Sequence, residues 1–322
     1  MVKIKKQLVQ GIKSYFSGAL VYFVGIFLIR NIDYYQKTFN PMTQRALLYF
    51  YCGYLVFSPF YYYFFVKESH KSKPYLFLVG IIKSIHGLIG KNHQKSTKEE
   101  KVAFLFMLVK FFFLPTMADF FFNNFESFKG AFKNFQFYAF GLNLIFLIDT
   151  FIFLFGYAFE FSFLRNIVKS VEPTLFGWLV ALICYPPFNS YAGKFVPWGA
   201  NDHVYFWNST STIIIRGILL LLLLIYLSAS ISLGAKASNL TNRGIVTKFP
   251  YSMVRHPAYV SKNIAWWITI LPVISIKFAA GMFFWTIIYF FRAITEEKHL
   301  RSDGNYKRYC QKVKFRFIPY LV

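Results

Sequence analysis

The chain is poor in the residues that staple small domains or hold metals. Cys52, Cys184 and Cys310 are scattered through 322 residues without a CxxC pair, so no disulfide or zinc framework is visible. Six histidines (His70, His86, His93, His203, His256 and His299) are dispersed without metal-ligand spacing, and no metal site is expected. There is no HExxH helix, no Walker loop, no GxGxxG and no GxSxG. Those absences remove support for soluble metallohydrolase, kinase, Rossmann and serine-hydrolase readings. Acidic residues are scarce, 13 against 36 Lys and Arg. No internal repeat is visible. The opening MVKIKKQLVQGIKSYF lacks a cleavage pattern, so the first apolar run reads as a retained helix.

What is abundant is apolar and aromatic. Hydrophobic residues make up 56% of the chain, charged residues 15%, and there are 43 Phe and 23 Tyr. A water-soluble fold of this length has too little interior for them. The run GILLLLLLIYL at 217–227 has no charge. The expected fold is all-α, a polytopic membrane helical bundle. The formal charge of +23 falls mostly in short segments beside apolar runs, which suits loops facing anionic membrane lipids rather than a nucleic-acid partner.

Eight crossings are expected, near 13–30, 46–66, 102–122, 137–158, 174–188, 212–231, 262–276 and 278–293. A ninth run, YLFLVGIIKSIHGLIG (75–90), lies between the basic segments KESHKSK and KNHQKSTKEEK. The positive-inside rule makes it re-entrant or interfacial. The N-terminus, 67–101, 159–173, 232–261 and the tail from Glu296 then fall on the cytoplasmic side, and 189–211 outside. With no organelle address visible, a bacterial inner membrane is the expected location. The last two runs form a helical hairpin around Ser275–Ala279. Residues 1–158 read as N-terminal membrane helices, and 159–322 as a C-terminal core holding nearly all the unusual polar residues.

Three stretches could carry chemistry: the loop SNLTNRGIVTKFPYSMVRHPAY (238–259), FFRAITEEKHL (290–300) and the tail NYKRYCQKVKFRFIPYLV (305–322). The hairpin can bring them to one interface. Arg292 and Glu296, four apart on a helix, share a face, where a plain intrahelical ion pair is the bland alternative. Glu297 faces elsewhere, where simple solvation would suffice. Arg255 alone reads as a snorkelling anchor, His256 as an interfacial histidine, and Pro257 as a helix start. Together they offer helix-start amides for an anion, a carboxylate for an ammonium, and Tyr251 and Tyr259 as aromatic walls.

RHPAY in such a loop, a hairpin, R-x-x-x-E-E-x-x-L and a "Y..Y...V..R.IP" tail resemble the isoprenylcysteine carboxyl methyltransferase superfamily, which includes phospholipid N-methyltransferases. The resemblance covers about 232–322. It implies an integral membrane enzyme that uses S-adenosylmethionine and an amphiphilic, prenylated or lipid acceptor. It implies that His256, Pro257, Ala258, Tyr259 and Tyr251 contact the cofactor, that Arg243, Gly244, Ile245 and Val246 line it, and that Glu296, with Glu297 beside it, binds it. Arg292 would hold a carboxylate acceptor. His256 or Glu297 would take a proton from an amine or thiol. Two departures stand out: Ser261 where the family often has Gly, and Phe249-Pro250-Tyr251 in place of Gly-x-Tyr. Glu160, Glu172 and Pro173 lie in a loop on the same expected side, where packing and capping are the plainer roles.

Membrane sterol and steroid reductases, which use NADPH, are similar in the hairpin, the RHPxY and the tail. An acidic Glu296-Glu297 pair suits a sulfonium cofactor and would repel NADPH phosphates, so methyl transfer is the favoured reading. A non-enzymatic transporter or scaffold is the remaining alternative, with Asp149, Lys110 and Lys83 as a polar pathway. Nothing in the sequence addresses the oligomeric state.

Overall fold

Tyrosine and phenylalanine outnumber helix breakers through most of the chain, and the computed structural model is correspondingly helical. It describes residues 2–65, 71–90 and 95–319. His70, His93 and the parts of the basic flanks of the ninth apolar run at 67–70 and 91–94 lie outside the described residues. Contacts divide the chain into two compact units, residues 1–122 and 123–322.

In the first unit, α1 (Val2–Asn31) is followed by the short α2 (Asp33–Thr38), α3 (Pro41–Phe65), α4 (Lys73–Leu88) and most of α5 (Lys98–Lys133). Helix α1 packs on α3 and α4. The start of α5 follows from its sequence. Thr97 Oγ1 accepts from the Glu100 amide at 3.2 Å, and Glu100 accepts from the Thr97 amide at 2.9 Å, a reciprocal capping box. Lys83 also donates to Glu100, at 2.7 Å. Lys110 reaches the Tyr22 hydroxyl at 3.2 Å. Both cations that the sequence marks as a polar pathway in this unit thus bond to neighbouring side chains.

The second unit holds α6 (Phe137–Ala158), strand β1 (Ser170–Val171), α7 (Leu175–Leu182), α8 (Phe188–Phe195), α9 (Ser209–Leu233), a 3₁₀ turn (Gly234–Lys236), strand β2 (Thr241–Asn242), α10 (Pro257–Thr269), a 3₁₀ turn (Leu271–Val273), α11 (Ile276–Leu300) and α12 (Gly304–Lys312). Helix α9 packs between α6 and α10, and α11 against α7 and α10. Leu142 and Ile145 of α6 meet Leu223 and Leu227 of α9, at the three- and four-residue spacings that put side chains on one helix face. Gly156 lets α6 approach closely, because a Cβ there would lie 2.1 Å from the Ala237 carbonyl oxygen. Trp198 packs edge-on against Trp266 and Trp285, with ring centroids 4.5 and 4.8 Å away. This pins the segment before α9 to the hairpin of α10 and α11.

Among the described residues five helices are long and apolar enough to cross a membrane: Lys6–Asn31, Lys98–Lys133, Phe137–Ala158, Ser209–Lys236 and Ile276–Leu300. On α9, Ile213, Ile214 and Leu221 are all exposed, as lipid-facing residues are. The all-α membrane bundle expected from composition is what the chain forms. Individual elements differ in length from the expectation. The run 174–188 yields α7 of only 8 residues, about 12 Å long, with Pro186 and Pro187 following. Helix α10 has 13 residues, about 20 Å, and stops ahead of Pro272. Neither spans about 30 Å of hydrocarbon by itself. Hydrophobicity alone did not reveal these breaks, because proline interrupts a helix without making a segment polar. Helix α3 is long enough, but its six tyrosines make it less apolar than the other five.

Candidate functional site

The loop from β2 to α10, the C-terminal turns of α11 and the tail after α12 converge on one carboxylate. Glu297 is 2% exposed. Its Oε1 accepts from Arg255 Nε at 2.8 Å and from His256 Nε2 at 3.2 Å. Its Oε2 accepts from Arg316 Nε at 3.2 Å, and Arg301 lies one turn on at 3.7 Å. A buried carboxylate is tolerable only with such compensation. The expectation that Glu297 is solvated is therefore wrong. It is also engaged by cations on both oxygens rather than presented to a ligand. Neighbouring positions on a helix differ by 100°, so Glu296 faces a different environment.

Glu296 is exposed and accepts from the Tyr259 hydroxyl at 2.9 Å. Tyr259 stacks on His256 at 5.3 Å and 8° between planes, and meets Tyr289 edge-on at 5.5 Å. Arg292, one turn before Glu296, forms no ion pair with it. The guanidinium of Arg292 is buried and lies 5.3–5.7 Å from the ring centroids of Tyr185, Tyr259 and Tyr289. It donates to Asn239 Oδ1 and, at 3.5 Å, to the Tyr185 hydroxyl. The cage is aromatic and neutral, which suits a planar delocalised cation.

Helix α10 starts at Pro257 with His256 at its N-cap and no side-chain cap. Ala258 and Tyr259 stand in its first turn, where amides have no intrahelical acceptor. Ser261 occupies the place of the family's glycine and turns its hydroxyl back to the Pro257 carbonyl at 2.9 Å. Upstream, the chain turns through a cis Phe249–Pro250 bond.

The tail builds the other wall. The Arg255 and His256 amides donate to the Phe315 and Arg316 carbonyls at 3.0 and 2.9 Å, and Arg255 Nη1 donates to the Val313 carbonyl at 3.2 Å. Tyr306, Tyr309 and Val313 bury together with Ile245, Tyr251 and Leu300 at their edge. The Tyr309 hydroxyl donates to the Tyr251 carbonyl at 2.7 Å. Within the spacing Y..Y...V..R.IP, Tyr306, Tyr309 and Val313 are thus the inward face of a docked tail, while Ile318 is exposed.

Strand β1 pairs antiparallel with β2, Ser170 opposite Asn242 and Val171 opposite Thr241. This ladder fixes the entry to Arg243 and Gly244. Arg243 is buried and donates to the Asn166 carbonyl at 3.0 Å; burial lowers its pKa, against Glu160 and Tyr157. Gly244 has φ +104°, a conformation that glycine adopts readily. Ile245 and Val246 follow as half-buried residues. Asp303 caps α12 through the Asn305 amide and accepts from Asn242 Nδ2 at 3.2 Å. Burial raises its pKa, but these donors and Lys169 more than offset that, leaving it below the ordinary carboxylate value.

The two acidic residues ahead of α7 have structural employment. Glu160 accepts from the Val168 amide at 2.8 Å, and Glu172 from the Thr174 amide at 3.0 Å. Asp149 accepts from the hydroxyls of Tyr226 and Ser230. Sequence reasoning missed four contributors: Arg316 on Glu297, and Asn239, Tyr185 and Tyr289 around Arg292. Arg316 was visible within the tail motif. The other three carry no local signal, since they reach Arg292 only through tertiary packing.

Residues 212–306 match the family model described as phospholipid methyltransferase. The match runs from the first turn of α9 into α12 and contains the RHPAY loop, Arg292, Glu296 and Glu297. No curated protein and no solved structure matches the chain.

Proposed function

We propose, from the phospholipid methyltransferase match over α9 to α12, that the second unit houses a membrane methyltransferase site that uses S-adenosylmethionine and acts on an amphiphilic, lipid-like acceptor. One observation carries this reading. Glu296 and Arg292 sit on the same face of α11, yet they do not pair. The exposed carboxylate is left for a cationic ligand, and the caged guanidinium for an anionic one.

The residues present fit the cofactor. Glu296 offers an accessible anion for its ammonium, and the uncapped first turn of α10 offers amides for its carboxylate. Tyr259 and Tyr251 offer aromatic surface. When bound, the cofactor supplies a sulfonium-activated methyl group. The chain's own task is positioning and exclusion of water. Tyr259 orients Glu296 by its hydroxyl. Arg255, His256 and Arg316 fix the end of α11 through Glu297. Arg292 holds the acceptor's polar head, with its direction set by Asn239 and Tyr185. His256 leans on Tyr259 and bonds to Glu297, so its imidazole acts as a positioning group.

The site stands at the end of α11, at the edge of a candidate membrane span. There a hydrocarbon-anchored acceptor meets a water-soluble cofactor. The site is proposed to face the cytoplasmic side of a bacterial inner membrane, where the basic loops meet anionic lipid.

A reductase using NADPH is the second reading. The cations gathered on Glu297 favour it, because they cancel half of the acidic pair that argued against phosphate groups. Calorimetry of the purified full chain with S-adenosylmethionine and NADPH side by side decides. Saturable binding of S-adenosylmethionine alone is expected. Binding of NADPH alone selects the reductase, and binding of neither selects a carrier or scaffold.

A further inference from the structure

Two ammonium groups converge on Gly244, just after the β1–β2 ladder. The point where a Cβ would stand on Gly244 is 3.4 Å from Lys236 Nζ and 3.6 Å from Lys169 Nζ. The two nitrogens are therefore at most 7.0 Å apart. Like charges held this close repel, and unliganded lysines with flexible stems would normally diverge into solvent. Lys236 forms no ion pair among the described residues. Lys169 has Asp303 at 3.6 Å, but that carboxylate is already shared with the Asn305 amide and Asn242. Arg165 lies within electrostatic range of Lys236 and adds a third positive charge. Gly244, at φ +104°, leaves the space between the ammonium groups free of a side chain.

The level of this cluster is set by α9. The apolar span Ser209–Lys236 ends at Lys236, so its ammonium group stands where a lysine at a helix end reaches the headgroup layer. Phe159, Phe161 and Phe163 form a stacked ladder with centroids 5.7 and 5.0 Å apart. It leads to Phe163, which is 68% exposed and two residues before Arg165. Cations at headgroup depth beside an exposed aromatic ladder present the two halves of a lipid's chemistry.

We infer that Lys169, Lys236 and the side-chain-free turn at Gly244 form a binding site for a phosphate-type anion, separate from the Arg292–Glu296 face. A phosphate, with oxygens in several directions, satisfies two point-charge donors at once. Its source is either the phosphodiester or phosphomonoester of a membrane lipid, or free phosphate.

The test uses the purified full chain in detergent with two probes, dihexanoyl phosphatidic acid as a short-chain lipid and inorganic phosphate. Saturable binding of the lipid is expected, weakened at least about tenfold in the Lys169→Gln/Lys236→Gln double variant. Lys248→Gln, an exposed lysine on the same loop, binds as wild type. Lys236→Arg keeps the charge and retains binding, which separates loss of the anion site from loss of fold. Inorganic phosphate that displaces the lipid at similar concentration assigns the site to free phosphate; failure to displace assigns it to lipid. The inference is overturned if neither probe saturates the wild type, or if the double variant binds both as the wild type does. It is also overturned if the double variant loses only S-adenosylmethionine affinity, which would make the cluster part of the cofactor site. Because the methyltransferase reading is tested by cofactor affinity in the unmodified chain, failure of one does not imply failure of the other.

Discussion

Arg255 Nε and Glu297 Oε1 lie 2.8 Å apart across 42 residues of sequence, with Glu297 buried and Arg255 partly so. The pair joins the loop before α10 to the end of α11. With Arg316 it joins the tail to both. Glu297 is therefore a structural centre, and the exposed Glu296 beside it is the candidate for ligand contact.

That division of labour makes the two glutamates separable. Glu297→Ala leaves buried cations without their anion, and removing one partner of a buried pair costs about 3–5 kcal/mol. A clear drop in the thermal unfolding midpoint of the detergent-solubilised chain is expected. An unchanged midpoint would show that Arg255 and His256 do not depend on Glu297.

Glu296→Gln keeps the size and the Tyr259 contact but removes the charge. Loss of a charge-assisted bond, about 1.5–3 kcal/mol, corresponds to a roughly 10- to 100-fold weaker affinity for S-adenosylmethionine, with the unfolding midpoint unmoved. Calorimetry returning the wild-type affinity would remove Glu296 from the cofactor site.

Arg292→Lys preserves charge and loses the planar fork that Asn239 and Tyr185 orient. Methyl transfer to a lipid extract, followed by release of S-adenosylhomocysteine, is expected to fall about 10- to 100-fold while cofactor affinity stays within about twofold. A parallel loss of cofactor affinity would place Arg292 on the cofactor instead of the acceptor.

Tyr309→Phe deletes one hydroxyl, the one given to the Tyr251 carbonyl. A cost of about 1 kcal/mol is expected. Proteolysis of the tail is expected to speed up at the same time, since Tyr309 is one of the anchors holding Val313 and Arg316 in place. Equal cleavage rates in variant and wild type would mean that the tail docks without it.

The Asp303 carboxyl titrates below its ordinary value, about 3.9, because the ionised form is bonded in the folded chain. A carboxyl lowered on folding stabilises fully above its unfolded value and loses that contribution as pH falls through the folded one. Unfolding midpoints taken from about pH 6 downward should decline less steeply for Asp303→Asn than for wild type in the acid range. Identical slopes would mean that its bonds to Asn305, Asn242 and Lys169 add nothing.

The membrane bundle, the hairpin and the meeting of the RHPAY loop with α11 were legible in the sequence, because apolar run length and helical period act locally. The assignment of roles within Glu296-Glu297 was not. Which of two adjacent carboxylates turns inward depends on where Arg255 and Arg316 arrive, and both come from distant segments. The tyrosine cage of Arg292 was hidden for the same reason, with Tyr185 more than 100 residues away. The shortness of α7 and α10 was missed because hydropathy ignores the proline breaks.

The two-stranded ladder has a practical corollary for anyone recombining this scaffold. The amides of Lys169 and Glu172 are bonded to the carbonyls of Asn242 and Leu240, so the stretches near 170 and 241 form one mechanical piece despite the helices between them. A chimera that imports one of them from another protein without its mate would bring a mismatched seam to the doorstep of Gly244.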